Sequence, residues 1–197
     1  KGVPGNETYI DRLNADGSKD TSFAPPLSPD GKVLSLVPHP DGGVVLGGAF
    51  GHLGTAAVAG VIHASDSGEL ISLAAGYHGI LGTIHRVLML PEERWLVAGD
   101  FTHVGSVPRA GLAVVKADGA VDMAFDPGAG LQGVSVGVTG LLRDGAGRYL
   151  ISGYFGSYNN QACPSLIRVL PNGTRDASFN FGLSDVGGTT WEVQIDP

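Results

Sequence analysis

Apolar residues in this chain come in short runs, separated by glycine, proline and Asp-Gly turns. Residues 33–37 form one run, closed by Pro40, Asp41 and Gly42. Residues 44–50 form a second, 58–62 a third that precedes Ser67 and Gly68, and 70–73 a shorter fourth. Runs of this length between turn signals predict strands. No segment keeps a helical apolar period over three turns with caps, so no helix is predicted. The second run of each group reads Val44-Val45-Leu46, Trp95-Leu96-Val97 and Tyr149-Leu150-Ile151, without polar alternation. A strand of that composition is buried on both faces.

The groups recur. Segments 12–23, 63–74, 114–125 and 168–179 align Gly17, Gly68, Gly119 and Gly173, which lie 51, 51 and 54 residues apart. The same offsets align Asp20, Asp122 and Asp176, with Ile71 in the odd copy. They also align Phe23, Phe125 and Phe179, with Ala74 in the odd copy. A second motif keeps step: Gly48, Gly99 and Gly153 each precede a phenylalanine by two residues, Phe50, Phe101 and Phe155. Two independent motifs with one period define a repeat, and four strands per ~52 residues repeated radially make a β-propeller.

The predicted fold is therefore all-β, a single propeller segment of four-stranded blades, about 3.8 repeats of ~52 residues. The units are 1–26 (partial), 27–77, 78–128, 129–182 and 183–197 (partial). The repeated glycine suits a close backbone approach. The phenylalanine near the fourth strand is expected to wedge between blades. The repeated aspartate is expected to fix its turn by accepting nearby amides. Unit 27–77 lacks both and is expected to have the weakest outer edge. The chain opens with third and fourth strands (9–13 and 19–23) and closes on a first strand (190–195). Two closures fit: a four-blade ring with one three-stranded blade, or an arc of a larger propeller. The arc is the expectation, because the termini look cut from a longer protein. Its end faces would need further chain, another copy or a partner.

Composition narrows the partners. Hydrophobic residues make up 43% of the chain and 32 of its 197 residues are glycine, enough apolar material for a core built of short elements. Twelve basic residues face nineteen acidic ones, a net charge of −7, and no run of Lys or Arg occurs. Nucleic acid and anionic membranes call for a clustered basic face, so neither is an expected partner. The longest stretch without Asp, Glu, Lys or Arg, 42–65, holds seven glycines and reads as strands and turns rather than a membrane span. The chain begins without Met or a signal-like segment and is expected to be a piece of something longer. Cys163, the single cysteine, has no disulfide partner in the chain and is read as a loop bystander.

The strings RLNADGSKDTSF (12–23), VAGDFTHVGSVPRAGLAVVKADGAVDMAF (97–125), and SGYF (152–155) followed by RVLPNGTRDASF (168–179) resemble Delta-60 repeats. The resemblance covers nearly the whole chain, with segment 63–74 departing from the pattern. It implies a propeller, larger rings of about seven blades, and a place in a large secreted or cell-surface bacterial protein. It carries no catalytic residues over.

Candidate chemistry is sparse. Asn14, Asp16, Ser18 and Asp20 offer oxygens in a calcium-like spacing, ahead of Asp118 and Asp122 in the third copy. Neither has a closing Glu, and Asp-Gly is first of all a turn dipeptide. Calcium is thus a possible ligand and no other cofactor is expected. His52 and His103 occupy equivalent positions on different blades, too far apart for one zinc outside a narrow channel, and are read as loop histidines. No nucleophile elbow or phosphate loop occurs, and Gly128 and Gly130 are read as a linker.

Links between second and third strands, and links between blades, are longer than the others. Antiparallel alternation puts both long sets on one face, where binding is expected. Tyr158, Asn159, Asn160 and Gln161, with His103, are its most recognition-like residues: a stacking ring beside amides suits sugars or peptides. The functional expectation is a non-catalytic extracellular scaffold or interaction module for a protein or glycan partner, or for further blades. A propeller-type hydrolase or lyase and a calcium-dependent lectin-like module are the alternatives. A rim or channel cluster of acids and histidines within ~3 Å of a common point would favour the enzyme and overturn the scaffold reading.

Overall fold

A computed structural model describes residues 10–24, 29–53, 56–58, 60–71, 79–163 and 165–179. Unit 27–77 contains β1 (Lys32–Pro38), β2 (Val44–Ala49), β3 (His52–Leu53), β4 (Ala56–Ala57), β5 (Val61–Ala64) and β6 (Leu70–Ile71). Its antiparallel sheet runs β1-β2-β5-β6, and β3 pairs with β4 in a small hairpin. Unit 78–128 contains β7 (Ile80–Leu90), β8 (Arg94–Val104), β9 (Val107–Pro108) and β10 (Leu112–Lys116), in the order β7-β8-β10 with β9 on the far end of β8. Unit 129–182 contains β11 (Leu131–Gln132), β12 (Gly137–Arg143), β13 (Tyr149–Tyr154), β14 (Ser157–Tyr158), β15 (Gln161–Ala162) and β16 (Leu166–Val169). Its sheets run β12-β13-β16 and β11-β14-β15. The protein is an all-β propeller, and among the described residues no helix is long and apolar enough to cross a membrane.

The first strands lie innermost and touch around the axis: β7 packs against both β1 and β12. Polar bonds join them. Ser35 Oγ accepts the Val87 N–H at 2.9 Å, and Arg86 Nε donates to the Thr139 carbonyl at 3.0 Å. The second strands form the core. Successive side chains of a strand point to opposite faces, and in β2 and β8 both faces meet another unit. Val45 packs with Val87, Trp95 and Val97 of the next blade, while Val44 and Leu46 pack with Phe23 of the N-terminal unit. Trp95 and Val97 face backward in the same way, and Leu96 and Ala98 face forward onto Ile151 and Ile167. This double burial is why these runs carry no polar alternation.

The repeated glycine has a specific cause. The ladder between first and second strands shifts by one residue at Val33/Ser35, Ile84/Arg86 and Val138/Gly140. Gly48, Gly99 and Gly153 sit opposite Val33, Ile84 and Val138. A Cβ on any of them would run into the backbone carbonyl of Lys32, Thr83 or Gly137. The close approach is therefore to the bulged first strand of the same blade.

The outer strand differs from expectation. In three copies it shrinks to a single bridge, Leu13↔Lys19, Val115↔Val121 and Val169↔Arg175. Asp20, Asp122 and Asp176 follow at once and turn the chain away, accepting the N–H of Ser22, Ala124 and Ser178 at 2.9, 3.1 and 3.0 Å. Unit 27–77 has Ile71 at that position and stays in the sheet, pairing Ala64↔Leu70 and His63↔Ile71. Its outer edge, expected to be weakest, is thus the one that forms a paired strand; residue 74 lies outside the described residues. So does 190–195, on which the choice between ring and arc turns.

Phe23 and Phe125 are buried between units, and Phe125 meets the Tyr149 ring edge-on at 6.0 Å between centroids. Phe179 is half-buried beneath the Arg168 guanidinium, 4.6 Å from its ring centre. Replacing Phe125 by Ala removes the ring between two blades and is expected to cost about 3–5 kcal/mol in chemical denaturation; a loss below about 1 kcal/mol would contradict the wedge. Gly99→Ala tests the bulge: the added methyl meets backbone that cannot rotate away, so a loss of about 1–3 kcal/mol is expected by the same measurement.

Candidate functional site

The long links do share one face. Links between second and third strands are short hairpins: β3 with β4, the end of β8 with β9, and β14 with β15. Links between blades join them, since Ile80 pairs with Val104 and Leu131 with Tyr158. What was read as loop is therefore a small sheet on each blade.

That order changes the recognition residues. Tyr158 is fully buried in the core between blades, and its hydroxyl donates to the Gly173 carbonyl at 2.5 Å. Burial holds the phenol's pKa far above its ordinary value. It is a structural strut, and the expectation of a stacking ring at the surface is corrected. Asn159 and Asn160 are the two turn residues of the β14–β15 hairpin, with φ of 47° and 62°. Asparagine tolerates that left-handed backbone. Their amides also serve the fold: Asn159 Oδ1 accepts the Ala129 N–H at 3.0 Å, and Gln132 Nε2 donates to Asn160 Oδ1 at 2.9 Å. Gln161 remains exposed, and His103 is half-buried with Nδ1 3.0 Å from Thr102 Oγ1. His52 is tied to Asp30, whose carboxylate takes the His52 and Gly51 amides at 3.0 and 2.8 Å and lies 2.9 Å from the ring. The His52 amide, its ring and the Gly51 amide lower the Asp30 pKa to about 2.

The residues of the calcium candidate bond to near neighbours. Asp16 Oδ1 accepts from the Ser18 amide at 2.9 Å and its hydroxyl at 2.6 Å, and Asn14 Nδ2 donates to Ser18 Oγ at 3.0 Å. Asp20 turns instead to Ser22 and to Arg12 Nε, 2.8 Å away. The four side chains thus form a turn and, with the guanidinium, a clamp.

That clamp belongs to the repeat. Arg168 Nε lies 2.8 Å from Asp176, matching the Arg12–Asp20 pair. The copy with Val114 in the third strand takes its cation from the second strand, and Arg94 Nη1 lies 2.9 Å from Asp122. Sequence reading found the aspartates but missed their partners, which come from two different positions.

The odd copy has His63 where Arg12 and Arg168 stand, and no aspartate at 71. The β1–β2 turn supplies the acid. Asp41 Oδ1 accepts the Gly43 N–H and lies near His39 Nδ1, both at 2.7 Å, and Asp41 Oδ2 lies 3.1 Å from His63 Nε2. The two imidazole centroids are 3.9 Å apart, and His63 stands edge-on to Trp95 at 6.1 Å. His63 is 6% exposed, the His39 side chain 7% and the Asp41 side chain 38%. Burial first, then the neighbouring imidazole, lowers the His63 pKa against the pull of Asp41. Burial raises the Asp41 carboxyl, but the Gly43 amide and the two histidines outweigh it and leave it below its ordinary value. Among the described residues this is the group of three His, Cys, Asp or Glu whose ligand atoms come together, all within 4.8 Å. The signal for it in the sequence was the histidine in an arginine column. Cys163 is half-buried against the core, where burial raises its thiol pKa.

Residues 4–23, 94–125 and 147–179 match the family model described as Domain of unknown function (DUF5122) beta-propeller. The histidine cluster falls between the first two matched stretches. No curated protein matches the chain.

Among the clamps, Asp122 is buried and Arg94, then the Ala124 amide, hold its pKa below the ordinary value of 3.8. A carboxyl lowered by folding contributes stability that is present above its unfolded value and lost as pH falls through its folded value. Asp122→Asn is therefore expected to cost about 1–2 kcal/mol at pH 7. In urea denaturation the gap from wild type should shrink as pH falls below the ordinary carboxyl value of 3.8 and close once Asp122 is protonated in the folded state; a gap independent of pH would contradict the assignment.

Proposed function

We propose that this chain, built of β-propeller repeats, is a non-catalytic interaction scaffold that binds a protein or glycan through the face formed by its hairpins and inter-blade links. The observation that carries this reading is the contrast between frame and tip. The three hairpins stand on the same bulged strand pair; HLGTAA (52–57) and HVGSVP (103–108) keep one pattern, while SYNNQA (157–162) departs from it. A tip that changes on a repeated frame is the arrangement in which loops carry binding. The acidic surface and the Delta-60 resemblance support a place in a larger secreted or cell-surface bacterial protein. Further blades of that protein are a second candidate for what this chain packs against.

The hydrolase or lyase reading has one observation on its side, the gathering of His39, Asp41 and His63. Both imidazoles are sealed, however, and Asp41 alone is open to solvent. That leaves no room for a substrate to touch either ring, and the scaffold is the better account.

Glycan-array and cross-linking screens of the wild type, with and without calcium, test the proposal against a paired variant, Ser106→Glu with Gln161→Glu. Both positions are exposed at hairpin tips, so the denaturation midpoint should stay within about 0.5 kcal/mol of wild type. Binding should be present in the wild type and lost in the variant. Binding untouched by the tip changes, or turnover of glycoside or ester substrates by the wild type, would refute it.

A further inference from the structure

Unit 27–77 departs from its own repeat in a chemical direction. Where the other copies close the outer part of the blade with an Arg–Asp pair, this one has two imidazoles and a carboxylate. We propose that His39, Asp41 and His63 bind a divalent first-row transition-metal ion through His39 Nδ1, an Asp41 carboxylate oxygen and His63 Nε2.

Four observations lead there. The first is spacing. A tetrahedral zinc ion about 2.0–2.1 Å from each ligand needs its ligands about 3.3 Å apart. Asp41 Oδ1 lies 2.7 Å from His39 Nδ1 and Oδ2 lies 3.1 Å from His63 Nε2, and the three ligand atoms fall within 4.8 Å of one another, so side-chain shifts of about an ångström bring them around one ion. The second is an orphaned atom. His63 Nε2 is buried and, although close to Asp41, is too poorly aligned for a hydrogen bond. A buried polar atom left unpaired costs as much as a lost bond, and a cation shared with Asp41 would give it a partner.

The third is the outer support. The Gly43 amide fixes the Asp41 carboxylate, and the Trp95 edge walls the His63 ring. Ligands held by such partners keep the orientation a metal needs. The fourth is charge. The Asp41 carboxylate sets a negative charge between the two rings, with His63 and the His39 side chain both buried. Two nitrogens and one oxygen suit zinc, nickel, copper or ferrous iron, and not calcium or magnesium, which take oxygen. The ion would tie the β1–β2 turn to β5, as the Arg–Asp pair ties the third strand elsewhere.

The test uses the full chain after treatment with a chelator. Zinc is titrated by calorimetry, and cobalt(II) serves as a spectroscopic probe. One equivalent of zinc is expected to bind at micromolar Kd or tighter. The melting temperature should rise by about 5–10 °C at a hundredfold excess over Kd. Cobalt should give the strong visible bands of a tetrahedral site. His63→Gln and Asp41→Asn should each weaken binding about 100-fold or more, while His52→Gln and His103→Gln leave it unchanged. Should His63→Gln fail to fold, X-ray absorption of the zinc-loaded wild type still counts its imidazole ligands, and two are expected. No uptake at millimolar zinc, uptake indifferent to the cluster variants, or a melting shift given by calcium instead would overturn the proposal. None of these outcomes bears on the hairpin face, on the other side of the blade.

Discussion

Every other feature of this molecule depends on the burial of the second strands β2 and β8 between two neighbours. Val45 looks forward and Val44 and Leu46 look back; Trp95 and Val97 look back and Leu96 and Ala98 look forward. Each such residue is worth about 1.5–3 kcal/mol when fully buried, but only if the adjacent unit is present. A blade by itself would leave one apolar face in water, so stability belongs to the interfaces. The bulge opposite Gly48, Gly99 and Gly153 serves the same end. It re-aims the first strand at the axis while the second keeps its flat contact with both sides.

The polar parts work around that core. An aspartate after the fourth-strand bridge turns the chain outward and receives an arginine, and the following phenylalanine is delivered into the next interface. The cation is not tied to one position. Arg12 and Arg168 reach from the third strand and Arg94 from the second. What recurs is the meeting of charges, and two geometries supply it. In unit 27–77 both members are absent from the register, and a histidine and a turn aspartate meet there instead.

The two ends of the blades differ in what their polar groups are free to do. On the hairpin side, the amides of Asn159, Asn160 and Gln132 and the carboxylate of Asp30 are spent on holding the chain, which leaves residues such as Gln161 to face outward. Groups already held in place lose less entropy on binding. On the opposite side the turns are short, and their polar groups close on one another.

The period, the strand runs and the β-propeller were legible in the sequence because they rest on local signals: turn glycines at fixed offsets and apolar runs too short for helices. The aligned glycines and phenylalanines also pointed to their own roles, since a missing side chain and a large ring each have few uses at a repeated position. Tyr158 was misread because an aromatic next to two asparagines looks like a surface tip; only the fold turns it inward, toward the Gly173 carbonyl. The Arg94–Asp122 pair and the His39–Asp41–His63 group were out of reach for a related reason. Their members come from different strands, and their distances are set by how sheets pack, which the order of residues along one chain does not encode locally. What the sequence determined was where the chain turns and which residues avoid water. Which polar side chains would meet was decided by the packing of blade on blade, because charge and ligand geometry depend on separations of a few ångströms between segments far apart in the chain.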